Sequence, residues 1–182
     1  MAVNVWNIDP SHSAIAFSVR HMVVSKTRGR FTKWSGQLRF DAEAPAASSV
    51  EATIDPASLD TADAQRDAHL RSPDFLDVEK YPSASFGSRK VEVIAEGRYR
   101  VTGDLTLHGI SKPVVLEVTY EGAGKDPWGG ERAGFVATTS IDRKDFGLVW
   151  NKALETGCVL VGDKVELTLE IEAVKQAAQV AA

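Results

Sequence analysis

Cysteine occurs once in this 182-residue chain, at Cys158, so no internal disulfide can staple it. No apolar run approaches the roughly 18 residues that a membrane-crossing helix needs. Basic residues do not dominate: 21 Lys and Arg face 25 Asp and Glu, a net charge of −4 that argues against nucleic acid as a partner. The opening MAVNVWNIDPSHS has neither the positive segment nor the apolar core of a secretory signal, which predicts a cytoplasmic protein. Catalytic signatures are scarce as well. There is no Gly-x-Ser-x-Gly elbow, and Asp145-Phe146-Gly147 stands without the glycine-rich loop or catalytic-loop motif of a kinase. Gly122-Ala-Gly124 lacks the helix and third glycine of a dinucleotide loop. The four histidines show neither His-x-x-x-His nor Cys-paired spacing, which speaks against zinc. Cys158 has no evident base and reads as a buried, inert thiol.

What the chain does contain is period-two alternation. Ile15, Phe17, Val19, His21 and Val23 point one way, with Ala16, Ser18 and Arg20 opposite. Trp34, Leu38 and Phe40 share a phase that Phe31 does not, which predicts a bend near Thr32-Lys33. Val50 to Ile54 forms a shorter strand. Between Ala84 and Ala95 the phase changes from Phe86 to Val91 and Val93. Tyr99, Val101, Leu105 and Leu107 form the next row, then Val114 to Tyr120, a strand containing Phe135, and the clean alternation from Asp163 to Val174. Glu121–Glu131 reads as a Gly- and Pro-rich loop. Short connections between these rows indicate antiparallel hairpins. About eight long strands with one apolar face each, after a short leading one at Val3–Ile8, suit closure into an antiparallel barrel wide enough for one slender ligand. A two-layer sandwich shares the pattern; long, sequential strands make the barrel the simpler choice.

Only Thr61 to Phe86 reads as helical. Thr61 is the expected N-cap, Ala64, Ala68 and Leu70 give weak apolar spacing, and Pro73 stops the run. A short polar helix between strands covers or plugs something. Its charged residues have two readings: an exposed face with Asp67 and Arg71 paired one turn apart, or Arg66 and His69 turned towards a barrel mouth and a ligand head group.

Several motifs, in order and spacing, carry a resemblance over nearly the whole chain. They are Trp6-Asn-Ile-Asp-Pro-Ser-His-Ser13, Phe17-Ser-Val-Arg-His-Met22, Gly29-Arg-Phe31, Ile54-Asp55, Ser58-Leu-Asp-Thr61 and Arg66-Asp-Ala-His-Leu-Arg-Ser-Pro-Asp-Phe-Leu-Asp77. Tyr81-Pro-Ser-Ala-Ser-Phe86, Gly103-Asp-Leu-Thr-Leu-His-Gly-Ile-Ser-Lys-Pro113, Arg143-Lys-Asp-Phe-Gly147 and Val161-Gly-Asp-Lys-Val165 complete the set. The chain resembles the YceI-like family of polyisoprenoid-binding, lipocalin-like proteins. That resemblance implies an all-β fold, an extended eight-stranded antiparallel lipocalin-like β-barrel with a short helix inserted, here over residues 1–176 with a frayed tail at 177–182. It also implies a homodimer and a lumen that takes a polyprenyl chain, quinone tail or fatty-acid derivative. The residues themselves lead to the expectation of no cofactor and no metal. Many relatives are periplasmic, unlike the location expected from this N-terminus.

For such a lumen the candidate wall residues are Phe17, Val19, Phe31, Trp34, Leu38, Phe75, Phe86, Tyr99, Leu105, Phe135, Phe146 and Trp150. His21, Arg66 and His69 are the candidate polar contacts. Each aromatic could instead fill a packed core, and His21 could be a satisfied core histidine. The leading expectation is non-enzymatic binding, sequestration or transport of a long amphiphilic lipid. The alternatives are a lipid-modifying enzyme using His21 or His69 as general base, or a ligand-free structural or stress-response domain.

Overall fold

The computed structural model describes residues 4–177. Residues 178–182 of the expected tail, and Val3 of the expected leading strand, lie outside them. The strands are β1 (Val5–Ile8), β2 (Ala14–His21), β3 (Ser25–Phe31), β4 (Trp34–Arg39), β5 (Ser49–Ile54) and β6 (Leu59–Asp60). After helix α1 (Ala64–Arg71) come β7 (Ala84–Ala95), β8 (Arg98–Leu107), β9 (Ile110–Lys125), β10 (Glu131–Asp142) and β11 (Val161–Lys175). Eight of them, in the order β1-β4-β5-β7-β8-β9-β10-β11, form a closed antiparallel barrel because β1 also pairs with β11. At 16 and 15 residues, β9 and β11 are long for a soluble sheet and extend ~50 Å at 3.3 Å per residue.

Closure has a particular layout. One edge of β11 is shared: Ala173–Lys175 pair with β1, and Val161–Glu170 pair with β2. The hairpin β2–β3 therefore continues the wall beyond β1–β4, with the expected bend falling between Phe31 and Trp34. Beyond that bend β3 meets only the two-residue β6, and β5 meets β7 only at Ala84–Gly87. Helix α1 and the segment after it lie between β6 and β7 in the chain. Gly29 lets β3 approach closely: a Cβ there would lie 2.4 Å from the Phe17 ring and 2.8 Å from Thr61 Cγ2.

Local features explain the irregular phases. The register of β7 against β8 shifts between Ser88 and Lys90, so Phe86 and Val91 both point inward despite unlike parity. The Glu121–Glu131 loop is shorter than expected: β9 runs to Lys125, β10 starts at Glu131, and Gly122 (φ 114°) lies beside a register shift. The helix is capped by Asp63, whose carboxylate accepts from Arg66 N at 3.0 Å, and not by Thr61. Thr61 instead donates through its N–H (3.0 Å) and hydroxyl (2.5 Å) to Asp67, which is 7% exposed. Asp67 is thus unavailable to Arg71, which donates to the carbonyls of Ala57 and Leu59.

Past β10 the chain turns through Arg143–Phe146 into an irregular stretch, and Arg143 holds that stretch in place. Its side chain is 2% exposed and donates to the carbonyls of Gly162 (2.8 Å), Leu148 (2.5 Å) and Trp150 (2.9 Å). Burial pushes its pKa down, while Asp163 and Asp142 oppose that shift. Asn151 joins the same segment to the start of β11 through both Val161 backbone groups. Cys158 sits in the turn beyond and is exposed, contrary to the buried thiol expected. Arg143→Met keeps the bulk and leaves buried carbonyls unpartnered, which should lower the unfolding free energy by roughly 3 kcal/mol. Urea denaturation checks this; an unchanged midpoint and slope would contradict the clamp.

Candidate ligand cavity

The inward rows of the strands do not fill the barrel. They enclose an elongated cavity of about 330 Å³ whose presented surface is apolar, a size within the range of small-molecule sites. On β11 alone its lining extends from Val161 to Ile171, ~33 Å along the strand. One end is packed by aromatics. Phe40 lies 5.0 Å from Phe135 in a T-shaped pair, 5.0 Å from Tyr120 and 6.2 Å from Tyr99, above buried Trp6 and Ala173. Burial pushes both phenols, Tyr99 and Tyr120, above their ordinary pKa, with a smaller push from Tyr120 on Tyr99 and from Glu131 on Tyr120. At the other end the lining comes from Ile141, Arg143, Leu148 and Val161, with Leu70, Phe75 and Leu76 contributed by α1 and the segment after it.

Ten of the candidate residues line this cavity: Phe17, Val19, Phe31, Trp34, Leu38, Phe75, Phe86, Tyr99, Leu105 and Phe135. Five do not. Phe146 is 1% exposed and packs with Val114 and Leu116 in the wall, its carbonyl meeting His108 Nδ1 at 3.0 Å. Trp150 meets His69 edge to face at 4.7 Å, lies 5.2 Å from Phe75 and is not part of the lining. His21 has the inward parity of Phe17 and Val19 but, as the last residue of β2, is not part of the lining. Arg66 donates to the hydroxyl and carbonyl of Thr61, both at 2.8 Å, so its fork faces the loop that it braces. His69 meets Asp74 at 2.8 Å, with both side chains substantially exposed.

Polar groups that do touch the cavity were not among the candidates. Thr139 and Arg143 extend the inward row Phe135-Ala137-Thr139-Ile141 of β10, a parity that can be read past the strand's end. Ser48 also lines it, and its hydroxyl is buried with no hydrogen-bond partner among the described residues.

Two other constellations resemble chemistry and are better explained as structure. Asp9, His12 and Glu172 bring ligand-type atoms within 4.8 Å of one another. Arg132 occupies their centre, donating to Asp9 (3.0 Å), to Glu172 and to Asp126 (3.1 Å), and supplies the positive charge that a cation would bring. Ser11, His12 and Asp9 suggest a hydrolytic triad, but hydroxyl and carboxylate both meet the same nitrogen, His12 Nδ1, at 3.1 and 3.0 Å. A triad needs the base between them, one partner on each ring nitrogen. Hydrogen bonds from Ser11, then His12, hold the Asp9 carboxyl well below the usual carboxylate range.

Comparison with known proteins matches this architecture. The chain is 48% identical over 138 residues to a UPF0312 protein of Vibrio cholerae, covering 76% of this chain and 73% of that one. Among solved structures, Burkholderia cenocepacia BcnA superposes with a TM-score of 0.81 at 28% identity, covering 91% of this chain and 98% of that one. A polyisoprenoid-binding domain from Saccharophagus degradans aligns with a TM-score of 0.67 over 96% of this chain and 99% of that one; at 16% identity that likeness shows the fold alone. The model of the YceI-like domain matches residues 6–173. The chain belongs to the YceI-like family.

Proposed function

We propose that this protein binds a long-chain amphiphilic lipid, a polyisoprenoid, quinone or fatty-acid derivative, and sequesters or carries it without chemical change. The observation that carries this reading is the elongated apolar cavity inside a closed wall. Each CH₂ moved from water into such a lumen gains about 0.8 kcal/mol, offset in part by ordering the chain. The tail extends towards the aromatic floor, and the head group lies at the end bounded by Arg143, Leu148 and Val161. Thr139 is the hydroxyl nearest that end on the inward row of β10. A role without catalysis is supported by the absence of both general-base candidates, His21 and His69, from the cavity lining.

Native mass spectrometry of detergent-free protein, followed by lipid extraction, should find a long-chain species or show uptake of added polyprenyl or acyl lipid. Ala137 is 6% exposed on the inward row of β10. Ala137→Trp should reduce that uptake at least about tenfold while far-UV circular dichroism stays unchanged. A clean apo mass and no uptake by the unaltered protein would defeat the reading. Because Arg66 faces its own loop, Arg66→Ala should change affinity equally for anionic-headed and neutral-headed analogues, measured by fluorescence titration. A selective loss for the anionic lipid would return Arg66 to the head-group site.

A further inference from the structure

Exposed apolar side chains gather at one end of the barrel. Of nine large hydrophobics exposed among the described residues, five lie there: Met22, Val23, Val24, Val149 and Val159. The first three form the tip between β2 and β3, at 43%, 59% and 84% exposure. This tip borders the lumen's rim. Met22 N–H donates to Leu160 O at 2.9 Å, and the neighbouring Val161, which lines the cavity, pairs with His21.

The charge of the same hairpin opposes that of the whole protein. From Pro10 to Phe40 there is no Asp or Glu, yet there are six Lys and Arg, in a chain of net charge −4. Arg20, Lys26, Arg28 and Arg30 alternate with inward Phe17 and Val19 and so share the outer face. Lys26 is paired with Glu166 at 2.7 Å and Arg30 with Asp60 at 3.4 Å. Arg20 and Arg28 have no acidic partner among the described residues. Of the acids on adjoining elements, Asp163 is held by Lys144, and Glu155 lies in the 152–160 turn. The backbone adds a second oddity. Met22 (φ 51°) and Val23 (φ 66°) occupy the left-handed region, which suits glycine or asparagine and strains a β-branched residue. A chain selected for stability alone would not place Met-Val there.

We propose that this end is a docking face for an anionic bilayer. Met22, Val23 and Val24 enter the interfacial layer, Arg20 and Arg28 meet phospholipid head groups, and the rim of the lumen is held against the membrane. Neither a three-residue apolar tip nor two free arginines would hold a protein on a membrane alone; together they give reversible binding that salt weakens. The inference rests on the lipid-carrier reading for its purpose, delivery or collection of a ligand, but not for its test.

The test is co-sedimentation of the whole protein with phosphatidylcholine vesicles with and without phosphatidylglycerol. Binding is expected only with phosphatidylglycerol, weakening as salt rises. The pair Met22→Asn and Val23→Gly should cut that binding about tenfold without lowering the melting temperature. Arg20→Glu with Arg28→Glu, which leaves the turn intact, should cut it at least as far. No binding by the unaltered protein, equal binding to both vesicle types, or full binding by both variants overturns the proposal. So does a change of oligomeric state in the tip variant with no vesicle binding, which would make the tip a contact between copies. Uptake of detergent-dispersed polyprenyl lipid is measured in parallel: its absence from every variant and the unaltered protein defeats the carrier reading and leaves the docking result standing.

Discussion

Everything in this molecule depends on the hydrogen bonds by which β1 closes the barrel, Trp6–Ile8 running against Ala173–Lys175. Those few residues close the eight-stranded sheet on itself and remove the two edges that it would otherwise carry. The Trp6 indole fixes the junction further by donating to Phe40 O at 3.0 Å, and Lys175 Nζ lies 5.6 Å from its ring. Once closed, the sheet has a single inside. Every second residue must face it, and eight strands leave room there for either a packed core or one slender guest. The aromatics settle the division: they crowd one end and leave the rest open.

Several charged residues in this fold secure irregular segments. Arg66 and Asp67 both grip Thr61, Arg132 gathers Asp9, Asp126 and Glu172, and Arg143 clasps the carbonyls of the segment before β11. Each group of bonds lies where a regular strand ends and backbone groups lose their ladder partners. Irregular chain can stay ordered beside an apolar lumen only if those groups are satisfied locally.

Much of this was legible in the sequence because a half-buried strand writes its orientation into period two. Phe17 and Val19, or Tyr99 and Leu105, needed no structure to be placed inward. Parity alone does not decide contact with the lumen, however. His21 has the right phase and is absent from the lining, although its cross-strand partner Val161 contributes to it, whereas Thr139 and Arg143 have the same kind of phase and do line it. Register shifts defeat the pattern too, as between Phe86 and Val91. For the helical stretch, residue type suggested partners but not directions. Arg66 and His69 are suited to an anionic head group, yet nearer acceptors, Thr61 and Asp74, claim them. Phe146 and Trp150 follow the last regular turn of β10, where neither period applies.

The open lumen sets folding and use in opposition. Wall atoms facing a void forgo dispersion contacts that a filled interior would make. At the ~24 cal/mol per Å³ typical of core cavities, 330 Å³ corresponds to on the order of 8 kcal/mol. That is comparable with the whole stability of an ordinary domain. Small residues such as Ala52, Ala84 and Ala137 on the inward rows therefore keep the barrel less stable than its wall would allow. Substitutions that enlarge them trade capacity for rigidity, so selection for thermal tolerance alone would close the tube from within.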